Sequence, residues 1–326
     1  MSGKQDLRVS LLLLCLLITL ALDRASLGQA DPTAGILPFS VNLGGQYDSI
    51  NPATGNIMLT IPVMSKAGKI PFSFNLVGNF NIFPAAPNCP GCYIWQVPQP
   101  GYYGAWNGGL NGLPTGGLGS KLYFTTSNAN CNGSNDEITV SNFTLTDQTG
   151  ASHAFNNSVT YGPCGNSGGG TGPTGDSSGY TLSVTATDPP QYSLYDRSGN
   201  VLTLAPGSFN YMVVSSLTDP DNVAMSVGTQ IGSSTVTSTY TDTLGLTALT
   251  ATVGLSRGSS TPDTYTYTDA SGNPQTVTVK YTLYPLRTNF GCSNPQDVNV
   301  GSLYFPTSVV LPDGETFTLS YEPTRG

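Results

Sequence analysis

Tyr47-Asp48-Ser49-Ile50-Asn51-Pro52-Ala53-Thr54-Gly55-Asn56-Ile57-Met58-Leu59-Thr60-Ile61-Pro62-Val63-Met64-Ser65-Lys66-Ala67-Gly68-Lys69-Ile70-Pro71-Phe72-Ser73-Phe74 reads as strand, turn, strand, loop, strand. Pro52 to Asn56 carry turn chemistry, and apolar side chains alternate from Ile57 to Val63 with Thr60 between them. Ala67-Gly68, flanked by lysines, makes a polar loop, and the alternation resumes from Pro71 to Leu76. A period of two over consecutive segments specifies half-buried antiparallel strands.

The same texture extends along the chain. Beyond residue 30 no stretch sustains a helical period, and 39 Gly with 24 Pro leave little room for long helices. Strand-formers gather around short turns. Lys121 to Thr126 and Glu137 to Thr146 read as paired strands, and Asp147-Gln148-Thr149-Gly150 as the turn toward His153-Ala154-Phe155. Later hairpins centre on Asp196-Arg197-Ser198-Gly199-Asn200, Asp219-Pro220-Asp221-Asn222, Asp269-Ala270-Ser271-Gly272-Asn273 and Pro312-Asp313-Gly314. In the recurring unit, Asp caps the turn with its own side chain and Gly accepts a positive φ. Their spacing reads as irregular, which argues against a strict solenoid. The expected fold is all-β: hairpins and meanders in one or two sandwich-like modules with long Gly/Pro-rich loops.

Residues 1–30 read as a secretory signal. Lys4 and Arg8 precede the aliphatic run Leu11 to Leu22, and Gly28-Gln29-Ala30 supplies small residues before Asp31. The run is shorter than the roughly 20 residues a membrane span needs, so no span is expected after cleavage. The organisation expected is then a β module over 31–162 with an aromatic, Cys-containing insertion at 77–120, a Gly-rich loop or linker at 163–178, and a hairpin module over 179–326. Beyond the leader there remain 8 basic and 17 acidic side chains, a formal charge of −9. With no clustered Lys or Arg, the chain is a poor partner for nucleic acid.

An exported chain meets an oxidising medium, where cysteines pair. Cys89 and Cys92 form a Cys-Pro-Gly-Cys motif. A redox role needs a helix behind the first thiol, which the flanking prolines deny. A zinc site would recruit Cys131 and Cys164 as well. Plain stapling is the simplest reading: Cys89 with Cys92, and Cys131 with Cys164, which flank one hairpin. Cys292 is then unpaired or bonded outside the chain.

Few residues suggest catalysis. His153 is the sole histidine, and neighbouring Ser152 invites a hydrolase. Adjacent side chains on a strand point to opposite faces, so the two would diverge. A glycosidase needs two facing carboxylates, and the glutamates are only Glu137, Glu315 and Glu322. No catalytic residue, resident metal or cofactor is assigned, although Asp196 and Asp269 could contribute to structural calcium sites. Tyr93, Trp95, Tyr102, Tyr103 and Trp106 could stack on surface carbohydrate, or simply fill the insertion's core.

Ile50-Asn51, Thr54-Gly55-Asn56, Leu59, Ile61-Pro62, Ser65-Lys66, Gly68, Pro71-Phe72 and Phe74 resemble the segment that opens the extracellular part of bacterial exported RHS/YD-repeat proteins. Ser178 to Leu182, Tyr195 to Asn200, Asp242-Thr243-Leu244-Gly245 with Leu249-Thr250, Asn289-Phe290-Gly291-Cys292, and Leu311 to Gly314 through Tyr321-Glu322-Pro323 resemble later elements of that family, in matching order. Arg325 stands where a proline is more usual. The resemblance implies a non-catalytic, cell-surface or secreted structural region. Its implied role is intercellular contact, or enclosing and delivering a C-terminal toxin. The partner would be a hollow β shell of downstream repeats, which in that family begins about where Gly326 falls.

Overall fold

The computed structural model describes residues 43–45, 47–51, 56–80, 110–131, 133–147, 152–208, 210–254, 260–287 and 299–321. The leader, Cys89, Cys92, Tyr93, Trp95, Tyr102, Tyr103, Trp106 and Cys292 lie outside them.

The alternating stretch that opened the sequence reading becomes the centre of a five-stranded antiparallel sheet. Its strands are β1 (Leu43–Gly44), β2 (Asp48–Asn51), β3 (Asn56–Lys66), β4 (Phe72–Phe80) and β5 (Asn111–Pro114), paired in chain order. The ends of the stretch read as an insertion from 77 to 120 are therefore regular: Val77 to Phe80 complete β4, and β5 pairs back onto it. A single turn of 3-10 helix, Thr115–Gly117, follows.

The second sheet begins with β6 (Lys121–Cys131), β7 (Ser134–Thr146), β8 (Ser152–Ala154), β9 (Val159–Tyr161), β10 (Ser167–Gly168), β11 (Gly170–Pro173), β12 (Thr181–Thr185) and β13 (Gln191–Tyr195). It continues with β14 (Val201–Ser208), β15 (Tyr211–Thr218), β16 (Ala224–Ile231), β17 (Thr235–Thr241) and β18 (Thr247–Gly254). The last strands are β19 (Asp263–Thr268), β20 (Pro274–Arg287), β21 (Asn299–Val310) and β22 (Thr316–Thr318). Its ladders are antiparallel throughout, so the described chain is almost entirely β, with one large antiparallel sheet. The Gly-rich 163–178 stretch contributes β10 and β11, paired to β9 and β12. Glycine there permits close backbone approach: a Cβ on Gly169 would lie 2.5 Å from the Val184 carbonyl oxygen.

β15 is a junction. β14 runs along one edge; the other edge is shared, Tyr211–Val213 pairing with β6 and Ser216–Thr218 with β16. From β6 the sheet runs to β7 and β8, crosses the bridge Phe155–Thr174 to β11, and returns through β12, β13 and β14 to β15. These eight strands make a ring, and β16 to β22 leave β15 as a meander.

The core follows from register. Leu182, Leu194, Leu202, Leu217 and Met225 are successive cross-strand partners, all at most 3% exposed. Burying each such side chain contributes on the order of 1.5–3 kcal/mol. The five-stranded sheet closes this core over the meander: Phe74 meets Tyr240 and Tyr265, each 5.4 Å between ring centroids.

Candidate functional site

The most regular surface feature is a row of turns at one end of strands β13 to β20. Asp196, Asp219, Asp242 and Asp269 each open a turn with the same bonds. The Asp N–H donates to the carbonyl four residues on, and the N–H three residues on donates back to the Asp carbonyl. One carboxylate oxygen, Oδ1, accepts the N–H groups two and four residues on. The third step needs positive φ, filled by Gly199, Asn222, Gly245 and Gly272 at 81°, 63°, 74° and 85°. The four aspartates stand 23, 23 and 27 residues apart, a near-period that the wider set of sequence turns concealed. Leu311 to Glu315 repeat the backbone bonds with leucine in the first place.

The second carboxylate oxygen divides the row. In the outer two turns it is satisfied within its own hairpin: Asn200 Nδ2 donates to Asp196 Oδ2 at 2.7 Å, and Gln275 Nε2 to Asp269 Oδ2 at 2.8 Å. These two aspartates, the sequence candidates for calcium, already accept on both oxygens. In the middle two turns the residue four on is Val223 or Leu246, whose side chain has no donor to offer. There the β3–β4 loop supplies it. Lys66 pairs with Asp242, and Lys69 lies 3.2 Å from Asp219 and 2.6 Å from Asp221. Gly68 lets the loop settle, since a Cβ there would stand 3.3 Å from Thr243 Oγ1.

Electrostatics follow the bonding. The Val223 N–H, aided by Lys69, holds the Asp219 carboxyl below its ordinary value. Burial alone would raise Asp242, but Lys66 and the Leu246 and Leu244 N–H groups outweigh it, and the net direction is down. Asp221, followed by Asp219, raises the Lys69 ammonium.

A second cluster surrounds His153, the next cross-strand neighbour of the buried pair Leu122 and Leu145. It is 2% exposed. Its Nδ1 lies 2.5 Å from Asp176 Oδ2 and its Nε2 3.2 Å from Asp147 Oδ2. Ser152 points out to solvent, as strand alternation demands, so the two do not form a dyad. Sequence reading assigned Asp147 to turn chemistry only and passed over Asp176. A buried histidine needing partners was the one available signal.

Cys131 and Cys164 are joined by a disulfide, Cα atoms 6.0 Å apart. Glu137 lies on β7 and Glu315 in the turn before β22, while Glu322 lies outside the described residues. Among the described residues no group of three or more His, Cys, Asp or Glu is arranged to hold a metal, and no helix is long and apolar enough to cross a membrane. Compared with known proteins, the chain matches no family model and no curated sequence.

Proposed function

We propose that this chain is a non-catalytic, exported structural region of a bacterial protein related to the RHS/YD-repeat shells. Its hairpin meander would join sandwich-like packing under the five-stranded sheet to downstream repeats. Its role would be to display that shell for contact between cells, or to start an enclosure around a toxin.

One observation carries the reading. Two segments that carry the resemblance, Ser65 to Phe74 and Asp242 to Gly245, are physically engaged through Lys66 and Asp242. Motifs matched independently along the sequence thus meet as one docking device. The near-periodic Asp turns give the meander a unit of two strands that more hairpins could extend.

Antibodies against residues 179–254, applied to intact producing cells and to culture medium, test the reading. The expected antigen is outside the membrane, begins near Asp31, and co-purifies with hollow particles in electron micrographs. An antigen confined to cytoplasm, with Met1 retained, overturns it.

A further inference from the structure

We propose that protonated His153 is a latch that holds the β11–β12 turn onto β8, where the eight-strand ring closes, and that alkaline medium releases it.

The geometry requires the proton. Both ring nitrogens face carboxylate oxygens, and only the imidazolium has two N–H donors. A neutral ring would keep one hydrogen bond and turn a lone pair toward the other carboxylate, inside a site shielded from water. The two carboxylates arrive from different elements. Asp147 directly follows β7, and Asp176 sits in the turn between β11 and β12.

That turn is itself built around Asp176. The Ser178 N–H donates to its Oδ1 at 3.0 Å, and Thr174 and Ser178 hydroxyls bond one another at 2.8 Å. His153 therefore grips the turn rather than an isolated side chain. Other bonds across the seam, among the described residues, include the Phe155–Thr174 bridge, Gly169 N–H to the Ser158 carbonyl, and Asn157 Nδ2 to the Gly170 and Leu182 carbonyls. None of these titrates, so alkaline medium acts on the seam through the histidine.

The other titratable neighbour is Tyr180, whose ring centroid lies 5.0 Å from that of His153. Burial raises its hydroxyl, as do Asp147, Asp196 and Asp176, so it stays neutral while the histidine titrates. For His153, burial pulls the value down, but Asp147 and Asp176 together leave it raised above 6.5. A folded value above the unfolded one gives stability that is complete below the unfolded value. That stability is lost as pH rises through the folded value.

The chain holds one histidine, so an untagged, 15N-labelled sample gives a single imidazole spin system. It should be followed from pH 5 to pH 10, beside hydrogen exchange corrected for intrinsic rates. Expected are two protonated nitrogens at pH 7 and a midpoint above 6.5. Protection across residues 170–180 should fall about tenfold with that same midpoint, while residues 247–254 keep theirs. His153→Gln should show the low protection at every pH. Asp176→Asn, altered at a carboxylate that is 35% exposed, guards against a misfolded variant and should lower the midpoint. A ring neutral at pH 7, or titration that leaves residues 170–180 unchanged, overturns the latch.

Discussion

Lys66, at the end of β3, reaches Asp242 across 176 residues of sequence and fixes the five-stranded sheet to the third Asp turn of the row. Asp242 is 5% exposed, whereas Asp221, one of the partners of Lys69, is 75% exposed. Lys66→Met strands a buried carboxylate and should cost about 1–3 kcal/mol in urea unfolding. Lys69→Met should cost less, because one of its two partners, Asp221, reaches water. Leu246→Asn supplies the kind of amide that Asn200 gives Asp196, and in the Lys66→Met background it should restore part of the loss. Equal effects of the two lysine changes would show that burial of the partner is not what matters.

Phe74 stands between Tyr240 and Tyr265 and is fully buried, so Phe74→Ala should cost about 3–5 kcal/mol. The smaller change Gly112→Ala should also destabilise, since its Cβ would fall 2.3 Å from the ring's Cζ. Near-ultraviolet dichroism of the tyrosines, followed during thermal melting, reports both.

The Cys131–Cys164 bridge spans 33 residues and ties the end of β6 to the segment after β9. Loop-closure entropy puts its contribution at about 3–4 kcal/mol. Unfolding in urea with and without reductant measures it. A midpoint unmoved by reductant would mean that the ladders alone restrain this loop.

Acid should weaken the fold by the opposite route to alkali. Asp176 is held well below the usual carboxylate value: burial opposes this, but His153 and the Ser178 and Thr174 bonds prevail. Asp242 and Asp219 are lowered too. For depressed groups, stability is present above the unfolded value of 3.8 and is lost as pH falls through the folded values. The melting temperature should therefore be level between about pH 5 and pH 6 and decline below about pH 4. Asp176→Asn should flatten part of that decline.

Much of the strand content was written locally. Ile57 to Val63, Phe72 to Leu76, Gln191 to Tyr195 and Thr264 to Thr268 alternate plainly, and Asp196, Asp219 and Asp269 announce their hairpins. Asp242 did not, because Leu244 and Leu246 give its turn an apolar look; they are 75% and 57% exposed. The length of β20 was also hidden: Pro274 and Pro285 lie near its ends and proline seldom sits inside a strand, yet it is tolerated at a strand's first residue and near bulges. The lysine docking and the His153 cluster join residues from separate hairpins. Local periodicity cannot encode such contacts, so the identity of Lys66, Lys69, Asp147 and Asp176 gave no sign of their partners.

The junction at β15 has a consequence for how the chain is made. Leu122 on β6 finds Met212 as its cross-strand partner, and β16 is laid down on the same edge. A nascent chain, delivered from its N-terminus, thus carries β6 and β7 with one flank unpaired until residue 213 has emerged. Those strands are exposed to wrong pairing while the intervening residues are made, and closing so distant a ladder is slow. A product truncated before β15 should aggregate rather than fold as a smaller domain.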